Sequence, residues 1–458
     1  MKEKLIQILL KVNFHEKIYI QYNIIKIRYS MKKKRYINQI VIIGILTFFC
    51  NLTFIPVIQA ANQLPPPQDI DMNLEQTIFR RMSIREFTNE PITDGQLATI
   101  LWNAMGIRED GDRTIAGING TFASIIYVIK EDAAYIYNPI NHSLNLYKLG
   151  DWRDTVGYQY PTAPLVLGLC YNTTLADPNN AGVEIGEICQ NIAFTVDSLD
   201  LGAVVTGGLP PAIDRMGIPE DQSGLIVMPV GHPLHPYNFE YKPLWFSPLP
   251  KVMETQINLT TALQQRTETS LFQGTITKQE ISQIIWSSYG FSYYLDKSNQ
   301  ELNQIIRHRT VPSAHAYYPL EIYAVTTSGI YKYQPNLLTM FSGYSADFIG
   351  LPIVTFLYKI RSGDNRAQLA AASSLSSISS APLSIITVLN LNKTKNTGQQ
   401  YLPFWYYEAG ATTQNIMLEA TALDFHSNIV LPTDNTILLT LLKLNDGYTP
   451  LLIIPISK

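Results

Sequence analysis

The chain has 458 residues, of which 46% are hydrophobic and 16% are charged, with a formal net charge of −3. This composition is typical of a globular protein with the length for two or three domains. Because the chain has no surplus of basic residues to neutralise phosphates, we expect no nucleic-acid partner.

The N-terminal segment predicts export. Residues 31–35 (Met-Lys-Lys-Lys-Arg) precede an apolar run over residues 40–58, which ends close to the small residues Ala60 and Ala61. A basic start, an apolar centre and a small-residue cleavage site are typical of a signal peptide. We therefore expect translation to start at Met31, residues 1–30 to be an upstream extension from gene prediction, and residues 31–60 to direct periplasmic or extracellular export. The alternative is a retained membrane anchor over residues 40–58, which are almost long enough to span a bilayer.

An arginine-rich segment follows. Arg80, Arg81 and Arg85 lie with Ser83 within six positions. Guanidinium groups bind phosphate bidentately and keep their charge at working pH, so this set suits a phosphate. From the charges alone, a solvated basic turn is an equal alternative.

Periodicity predicts the elements that come next. Apolar residues at helical spacing predict a helix over residues 93–105, which Thr93 and Gln96 begin as a capping box. Residues 124–130 and 165–171 read as strands. Residues 184–199 predict an amphipathic helix closed by Gly202.

The cysteines and histidines give weaker signals. Cys50 lies in the N-terminal segment, whereas Cys170 and Cys189 either form a disulfide or are buried apolar residues. His232 and His235 have no second pair of ligands nearby, so we expect no metal site.

The sequence after residue 64 repeats itself once. Matching residues recur in the same order, with an offset that grows from 184 between Ile92 and Ile276 to 226 between Pro229 and Pro455. The second half is therefore the first with insertions. We call residues 61–250 copy one and residues 251–458 copy two. In the largest insertion, residues 370–374 are rich in Ser and Ala and predict a flexible or helical flap.

Several segments resemble the FMN-dependent nitroreductase family, particularly its SagB-type dehydrogenase branch. Residues 80–87 and 101–107 resemble the start of the family sequence. Residues 309–323, beginning Arg-Thr-Val-Pro-Ser-Ala, resemble the branch signature. Residues 184–191, Gly207-Gly208 and residues 229–233 resemble the closing helix, glycine pair and last strand. The resemblance covers residues 75–458 and implies an α+β, nitroreductase-like fold as a tandem pseudo-dimer, which we expect to be monomeric.

The resemblance implies FMN at the interface of the two copies. The first composite site would combine residues of copy one with residues of copy two: Arg80, Arg81, Ser83, Arg85, Gly207 and Gly208 with Pro312, Ser313, Ala314 and His315. The arginines would bind the phosphate, the glycines would let backbone N–H groups approach the ring edge, and the Pro-Ser turn would supply a hydroxyl.

A second composite site looks degenerate. Residues 116–119 of copy one would face copy-two residues that replace the arginines, the serine and the glycines: Gln264, Gln265, Thr267, Thr269, Leu431 and Pro432. We therefore predict one flavin per chain, in the first site.

The function implied by the resemblance is an exported FMN-dependent oxidoreductase that transfers hydride between a donor and a stacked organic acceptor, either a small molecule or a peptide. No catalytic acid or base is identified, and Tyr317, Tyr318 and residues 404–407 are either pocket walls or core. One alternative is an azoline (thiazoline or oxazoline) dehydrogenase of peptide modification, although Asn396-Thr397 stands where that group has a Lys-Tyr pair. The other is a non-catalytic flavin-binding or interaction module.

Overall fold

Contacts divide the chain into two units, Met1–Ala60 and Ala61–Lys458. The computed structural model describes residues 62–118, 120–235, 247–292, 309–337 and 354–458, all in the second unit. The predicted signal segment, Cys50 and Asn119 lie outside the described residues. None of the helices in the described part of the chain has the length and hydropathy needed to cross a membrane.

Copy one contains an antiparallel sheet of seven strands in the order β1-β4-β3-β2-β5-β7-β6. Its strands are β1 Asn62–Gln63, β2 Ser124–Ile129, β3 Ala133–Asn138, β4 Ser143–Leu149, β5 Leu165–Asn172, β6 Gly202–Ala203 and β7 Gln222–Gly231. Its helices are α1 Leu74–Arg80, α2 Asp94–Met105, the short α3 Arg153–Val156 and α4 Pro178–Ser198.

Copy two contains a six-stranded antiparallel sheet in the order β10-β9-β8-β11-β13-β12, which matches the order β4-β3-β2-β5-β7-β6 of copy one. Its strands are β8 Leu320–Thr326, β9 Gly329–Gln334, β10 Phe356–Ser362, β11 Leu383–Asn390, β12 His426–Ser427 and β13 Tyr448–Ser457. Its helices are α5 Leu259–Gln265, α6 Lys278–Tyr289, α7 Arg366–Ala371, α8 Leu402–Ala422 and α9 Asn435–Leu442. The predicted α+β class is confirmed.

The two longest helices, α4 and α8, pack against each other at glycines. A Cβ atom added to Gly186 would collide with the carbonyl oxygen of Tyr407, and one added to Gly410 would collide with that of Val183. The backbones approach this closely because neither glycine carries a side chain at the crossing. The crossing joins the two copies through their cores.

Helix α4 differs from its prediction in three ways. It begins six residues early, at Pro178, where Asp177 caps the N-terminus. It ends at Ser198 with Leu199 as its C-cap, so the predicted closure by Gly202 was wrong, and Gly202 instead lies in β6. The helix is buried on all sides over residues 181–197, because α8 covers the face that the amphipathic pattern left to solvent.

Other predicted elements agree with the structure. The capping box of α2 is present, with Thr93 Oγ1 accepting from the Gln96 backbone N–H at 3.2 Å. Strands β2 and β5 match their predictions to within one residue. Cys170 and Cys189 are buried free thiols.

The Ser/Ala-rich insertion is not a flap. Residues 370 and 371 end helix α7, and Leu369 and Ala372 are buried in a hydrophobic cluster with Tyr323 and Val325. The prediction of a flap over residues 370–374 was therefore wrong: residues 370 and 371 are helical, residues 372–374 are not, and Ala372 packs into the core of copy two.

Candidate functional site

A cavity of about 960 Å³ lies between the two copies. This volume is at the upper end of the range for ligand pockets in proteins. Copy one contributes Arg81, Ser83, Arg85, Gln159, Tyr160, Thr206 and Gly207 to its lining. The principal lining residues of copy two are Tyr289, Phe291, Arg309, Pro312, Ser313, Ala314, His315, Tyr317, Tyr318, Lys332, Lys393, Tyr401, Phe404 and Tyr407.

Backbone hydrogen bonds hold the arginine-rich segment at the cavity. The Met82 N–H donates to Asp197 Oδ2 at 3.1 Å, and the Ile84 N–H donates to the Ala203 carbonyl oxygen at 2.9 Å. Burial raises the pKa of Asp197 to about 8, against the attraction of Arg81. Because both anchors lie at the C-terminal end of α4 or just after it, this helix fixes where the segment meets copy two.

Two of the predicted cofactor-binding residues do not line the cavity. Arg80 points to Asp200, with 2.9 Å between its Nη2 and Oδ1, and also donates to the Asp197 carbonyl oxygen at 3.3 Å. Gly208 lines a separate small pocket that it shares with Gly207 and Tyr158. The other eight predicted residues all face the cavity. Their role in binding a cofactor stays a prediction.

The part of the cavity wall that copy two contributes around residues 314–316 is a tight turn. Residues 314–316 form one turn of 3₁₀ helix, with left-handed backbone at His315 and Ala316 (φ of 52° and 55°), a region that few residues other than glycine adopt. The Ser313 hydroxyl accepts from the Tyr318 N–H at 2.8 Å and donates to Glu408 Oε2 at 2.6 Å. Ser313 therefore links the cavity to the buried carboxyl group of Glu408, which no sequence pattern indicated.

The aromatic candidates divide between wall and core. Tyr317, Tyr318, Phe404 and Tyr407 line the cavity. Trp405 is buried behind Tyr317, with their ring centroids 5.8 Å apart. Helix α8 presents Phe404 and Tyr407 on its cavity face because they are three residues apart, whereas Trp405 lies on another face.

Cationic side chains lie near one another in the cavity. The Arg309 guanidinium carbon is 5.0, 4.6 and 4.4 Å from the ring centroids of Tyr289, Phe291 and Tyr318, a cation–π arrangement. Lys393 Nζ donates to the Tyr318 carbonyl oxygen at 3.0 Å. The Lys393 side chain reaches solvent, yet the surrounding protein atoms lower the pKa of its amine, and the charge of Arg309 lowers it further.

These charged residues were not predicted from the sequence, for different reasons. Arg309 opens the segment that resembles the branch signature, so it could have been selected. Lys393 follows β11 in a turn without a recognisable motif. Lys332 also lines the cavity and pairs with Glu321 at 2.6 Å, but strand β9 gives no local sign of this pairing.

The structure corrects the alignment of the second composite site. Helices α1 and α5 are both seven residues long, are capped by Asn73 and Asn258, and end at the C-caps Arg81 and Arg266. Arg266 therefore corresponds to Arg81, with an offset of 185 rather than 184. The assignment of Gln264, Gln265, Thr267 and Thr269 to the arginine and serine positions was wrong by one residue, and the counterparts of Ser83 and Arg85 are Glu268 and Ser270.

The second site keeps an arginine, but protein groups already accept from both of its Nη atoms. The Arg266 side chain is 1% exposed and pairs with Glu268 Oε1 at 2.9 Å. It also donates to the carbonyl oxygens of Arg113 and Ile115 at 3.0 and 2.9 Å. Arg108, equally buried, donates to the Arg266 carbonyl oxygen and pairs with Asp110 at 3.0 Å. This ionic cluster stands where the first site has Arg81, Ser83 and Arg85 at the cavity.

The histidines near the end of copy one face carboxylates. His232 Nε2 lies 4.0 Å from Glu90, and His235 Nε2 lies 3.5 Å from Glu86. Within the ranges that the structure describes, no group of three or more His, Cys, Asp or Glu side chains is arranged to hold a metal ion.

The nitroreductase family matches residues 78–232 and 273–458, one stretch in each copy. These stretches cover most of the chain, which therefore belongs to the nitroreductase family. Membership indicates an oxidoreductase of a family whose members typically bind flavin. The two matched stretches are consistent with tandem copies of the fold.

Relatives of known structure or sequence agree with this assignment. A nitroreductase-family crystal structure from Anabaena variabilis covers 86% of this chain and 94% of its own, with a TM-score of 0.61 at 14% identity. This likeness supports the fold alone. A nitroreductase homologue from Methanocaldococcus jannaschii is 28% identical over 193 residues, which are 37% of this chain and 94% of the homologue. The predicted nitroreductase-like fold is confirmed.

Proposed function

We propose that this protein is an FMN-dependent oxidoreductase with one flavin per chain. The proposal rests on the cavity between the two copies. This cavity is lined by Arg81, Ser83, Arg85 and Gly207 together with residues 312–315. These two groups are more than a hundred residues apart in sequence and belong to different copies. The flavin would exchange hydride with a donor and then with an organic acceptor stacked on the same ring face.

The cavity residues fit FMN in chemistry and in shape. Arg81, Arg85 and the Ser83 hydroxyl offer donors suited to a phosphate. A Cβ atom on Gly207 would overlap the ring of Phe404, so glycine lets this backbone and the Phe404 ring approach each other closely at the cavity wall. Ser313 would supply a hydroxyl at the polar edge of the ring, and Tyr317 and Phe404 would provide apolar walls.

These positions suggest separate roles for the cofactor and for the residues that line the cavity. FMN, when bound, supplies the hydride chemistry. The arginines hold its phosphate, Gly207 allows close approach, and the aromatic walls exclude water and orient the partner molecule. We infer further that the acceptor carries negative charge, because Arg309, Lys393 and Lys332 all line the cavity and Glu321 is the carboxylate among its lining residues.

We also propose a branch of the family, a location and an oligomeric state for this protein. The segment from Arg309 to Tyr323 supports the SagB-type dehydrogenase branch. Asn396-Thr397 still stands where an azoline dehydrogenase has Lys and Tyr, so we place a general dehydrogenase or reductase role above peptide azoline oxidation. Export, supported by the pattern of residues 31–61, would place the protein where NAD(P)H is scarce and would favour a quinone-linked or small-molecule donor. A monomer is expected because the two copies supply both sides of the site.

Flavin stoichiometry tests this proposal. The full chain is purified, reconstituted with FMN if necessary, and examined by absorbance for bound flavin and for its reduction by candidate donors and reoxidation by quinones or nitroaromatics. We expect about one FMN per chain. The double variant Arg81→Ala, Arg85→Ala should lose it.

Arg80→Ala is the matched control. It removes a neighbouring guanidinium that pairs with Asp200 outside the cavity, so flavin content should be retained. Absence of flavin from the reconstituted wild-type chain would reject the enzyme and its cofactor. Bound flavin that no donor reduces would favour the non-catalytic module. Equal loss of flavin in Arg80→Ala would show that the double variant acts through folding.

A further inference from the structure

A carboxyl group buried beneath the cavity is connected to it by two hydroxyl groups. Glu408 lies on α8 with no exposed surface. Its Oε2 accepts from the Ser313 hydroxyl at 2.6 Å, and its Oε1 accepts from the Tyr289 hydroxyl. Ser313 and Tyr289 both line the cavity. A proton on Glu408 is therefore one hydroxyl away from a molecule bound there.

The other copy contains an internal comparison. Glu184 on α4 corresponds to Glu408 at the offset of this helix pair, and it accepts from the backbone N–H groups of Ala123 and Ser124 at 2.9 and 3.0 Å. The residues that correspond to Ser313 and Tyr289 are Gly117 and Met105. Backbone amides, glycine and methionine cannot pass a proton to a ligand. Of these two carboxyl groups, that of Glu408 is bonded to hydroxyls that line the cavity.

The charges around Glu408 allow either protonation state near neutral pH. Burial raises the pKa of Glu408 to about 7, although the bonds from Ser313 and Tyr289 and the charges of Arg309 and Lys393 oppose the rise. Tyr407, buried on the same helix, has a raised pKa for the same reason of burial. Carboxyl groups that function as proton donors at neutral pH are commonly tuned by burial in this way.

We propose that Glu408 is a positioning residue that stores the proton taken up by the reduced acceptor and delivers it through Ser313. This inference rests on the proposed function. In the protonated state the Glu408 carboxyl donates to Ser313 Oγ, which leaves the Ser313 O–H free to point into the cavity while Oγ still accepts from the Tyr318 N–H.

The proposed step conserves protons and electrons. The acceptor receives a hydride from reduced FMN and a proton from Ser313 Oγ. The Ser313 O–H bond breaks as the Glu408 O–H bond breaks and returns a proton to Oγ. A carboxylate remains on Glu408, and water reaching the cavity protonates it again. The net change is acceptor plus hydride plus proton, giving the two-electron-reduced acceptor.

Two variants test the route, with a matched control. Glu408→Gln removes the proton, Ser313→Ala removes the connection, and Glu184→Gln alters the corresponding carboxyl in copy one. The first readout needs no turnover: infrared difference spectra of the full chain across pH 5–9 should show a carboxylic-acid band that titrates near pH 7 in wild type. In Ser313→Ala the band should titrate at a higher pH, because the carboxylate loses the hydrogen bond from Ser313 that lowers its pKa. This band should be absent from Glu408→Gln and retained in Glu184→Gln.

The second readout is the rate of acceptor reduction by the prereduced enzyme. We expect both cavity-linked variants to slow this step about 100-fold and to lose its decline above neutral pH, as removal of a proton donor would cause. Ser313→Thr, which keeps a hydroxyl, should restore the pH profile. Reduction of the flavin by its donor should change far less in Glu408→Gln, because Glu408 does not line the cavity.

The outcomes separate this inference from the proposed function. A wild-type chain that reduces no acceptor overturns both. Normal turnover with the same pH profile in Glu408→Gln or in Ser313→Ala overturns the proton route alone. If Glu408→Gln fails to fold, Ser313→Ala and Ser313→Thr still decide the question, because this pair changes only whether a hydroxyl is present at the cavity wall.

Discussion

The Arg81 side chain of copy one donates from Nε to the backbone carbonyl oxygen of Arg309 in copy two, at 3.1 Å. This bond joins the two segments on which the proposed site depends. A second crossing bond lies close by, from Gln190 Nε2 to the Thr310 carbonyl oxygen at 2.9 Å. Its counterpart in the other half runs from Gln414 to Thr114 at 3.2 Å. The contacts that hold the copies together therefore also fix the geometry of the cavity.

The glycine pair offers a prediction with its own control. Gly207→Ala would place a Cβ atom against the Phe404 ring, whereas at Gly208 the nearest atom to an added Cβ is the Pro210 carbonyl oxygen at 3.7 Å. We expect Gly207→Ala to weaken FMN binding about tenfold, a loss of roughly 1.4 kcal/mol. Gly208→Ala should bind flavin almost as wild type. Fluorescence titration of the apoprotein with FMN measures both, and equal affinities in the two variants would contradict the assignment of Gly207.

The position of Lys393 in the cavity predicts a preference for a negatively charged acceptor. Lys393→Met keeps the length of the side chain but removes a cation from the cavity. We expect kcat/KM for 4-nitrobenzoate to fall about tenfold, while that for the neutral 4-nitrobenzyl alcohol changes less than about twofold.

Lys395→Met is the control for this experiment, because Lys395 is exposed and is not among the residues that line the cavity. Steady-state assays with a common donor give the four ratios. A parallel fall for both nitro compounds in Lys393→Met would mean that Lys393 supports the cavity wall and does not recognise charge.

Eight of the ten residues predicted for the first site face one cavity because the patterns that selected them are local. Residues 81–85 and 312–315 are short continuous segments, and each was identified by its own pattern. Arg80 belonged to the same pattern, and only the fold reveals that its guanidinium turns to Asp200. Glu408 lay in a run of apolar and small residues in which no pattern predicts contact with Ser313, 95 positions away.

The second site shows where alignment within one sequence fails. Copy two has only weak local similarity near α5, and the offset of 184 between Ile92 and Ile276 does not hold for the segment that precedes them. The caps of α1 and α5 set the offset one residue higher. The arginine was therefore retained, and what changed is its environment. Glu268 stands at the position of Ser83 and neutralises Arg266.

Arg266 is consequently predicted to be structural. Arg266→Met would leave Glu268 without its partner and the carbonyl oxygens of Arg113 and Ile115 without a donor. We expect a loss of about 1–3 kcal/mol in the free energy of unfolding, because the carbonyl oxygens lose their donor, whereas the Glu268 side chain is 40% exposed and stays solvated. Flavin stoichiometry should stay unchanged in the folded protein.

Denaturant unfolding with flavin absorbance measures both quantities for Arg266→Met. The double variant Arg266→Met, Glu268→Leu should recover little of the lost stability, because the carbonyl oxygens still lack their donor. Loss of half of the bound flavin in a fully folded Arg266→Met protein would instead indicate a functioning second site and contradict the prediction of one flavin per chain.

Glu408 predicts how stability depends on pH. The ordinary pKa of a glutamate is 4.5, and burial raises that of Glu408 to about 7. Between these values the folded chain binds more protons at this position than the unfolded chain does. The contribution of Glu408 to stability is therefore fully present below pH 4.5 and is lost as pH rises through 7.

Glu408→Gln is neutral at every pH and lacks this dependence. The free energy of unfolding of wild type relative to Glu408→Gln should therefore fall by about 3 kcal/mol at most from pH 4.5 to pH 8. The carboxyl groups of Glu187 and Asp197, whose pKa values burial also raises to about 8, are present in both proteins and cancel in the difference. Urea unfolding at several pH values measures the difference in unfolding free energy between wild type and Glu408→Gln. Glu109→Gln, at an exposed position, is the control. A difference that is independent of pH would mean that Glu408 is ionised throughout, and it could not then hold a proton beneath the cavity.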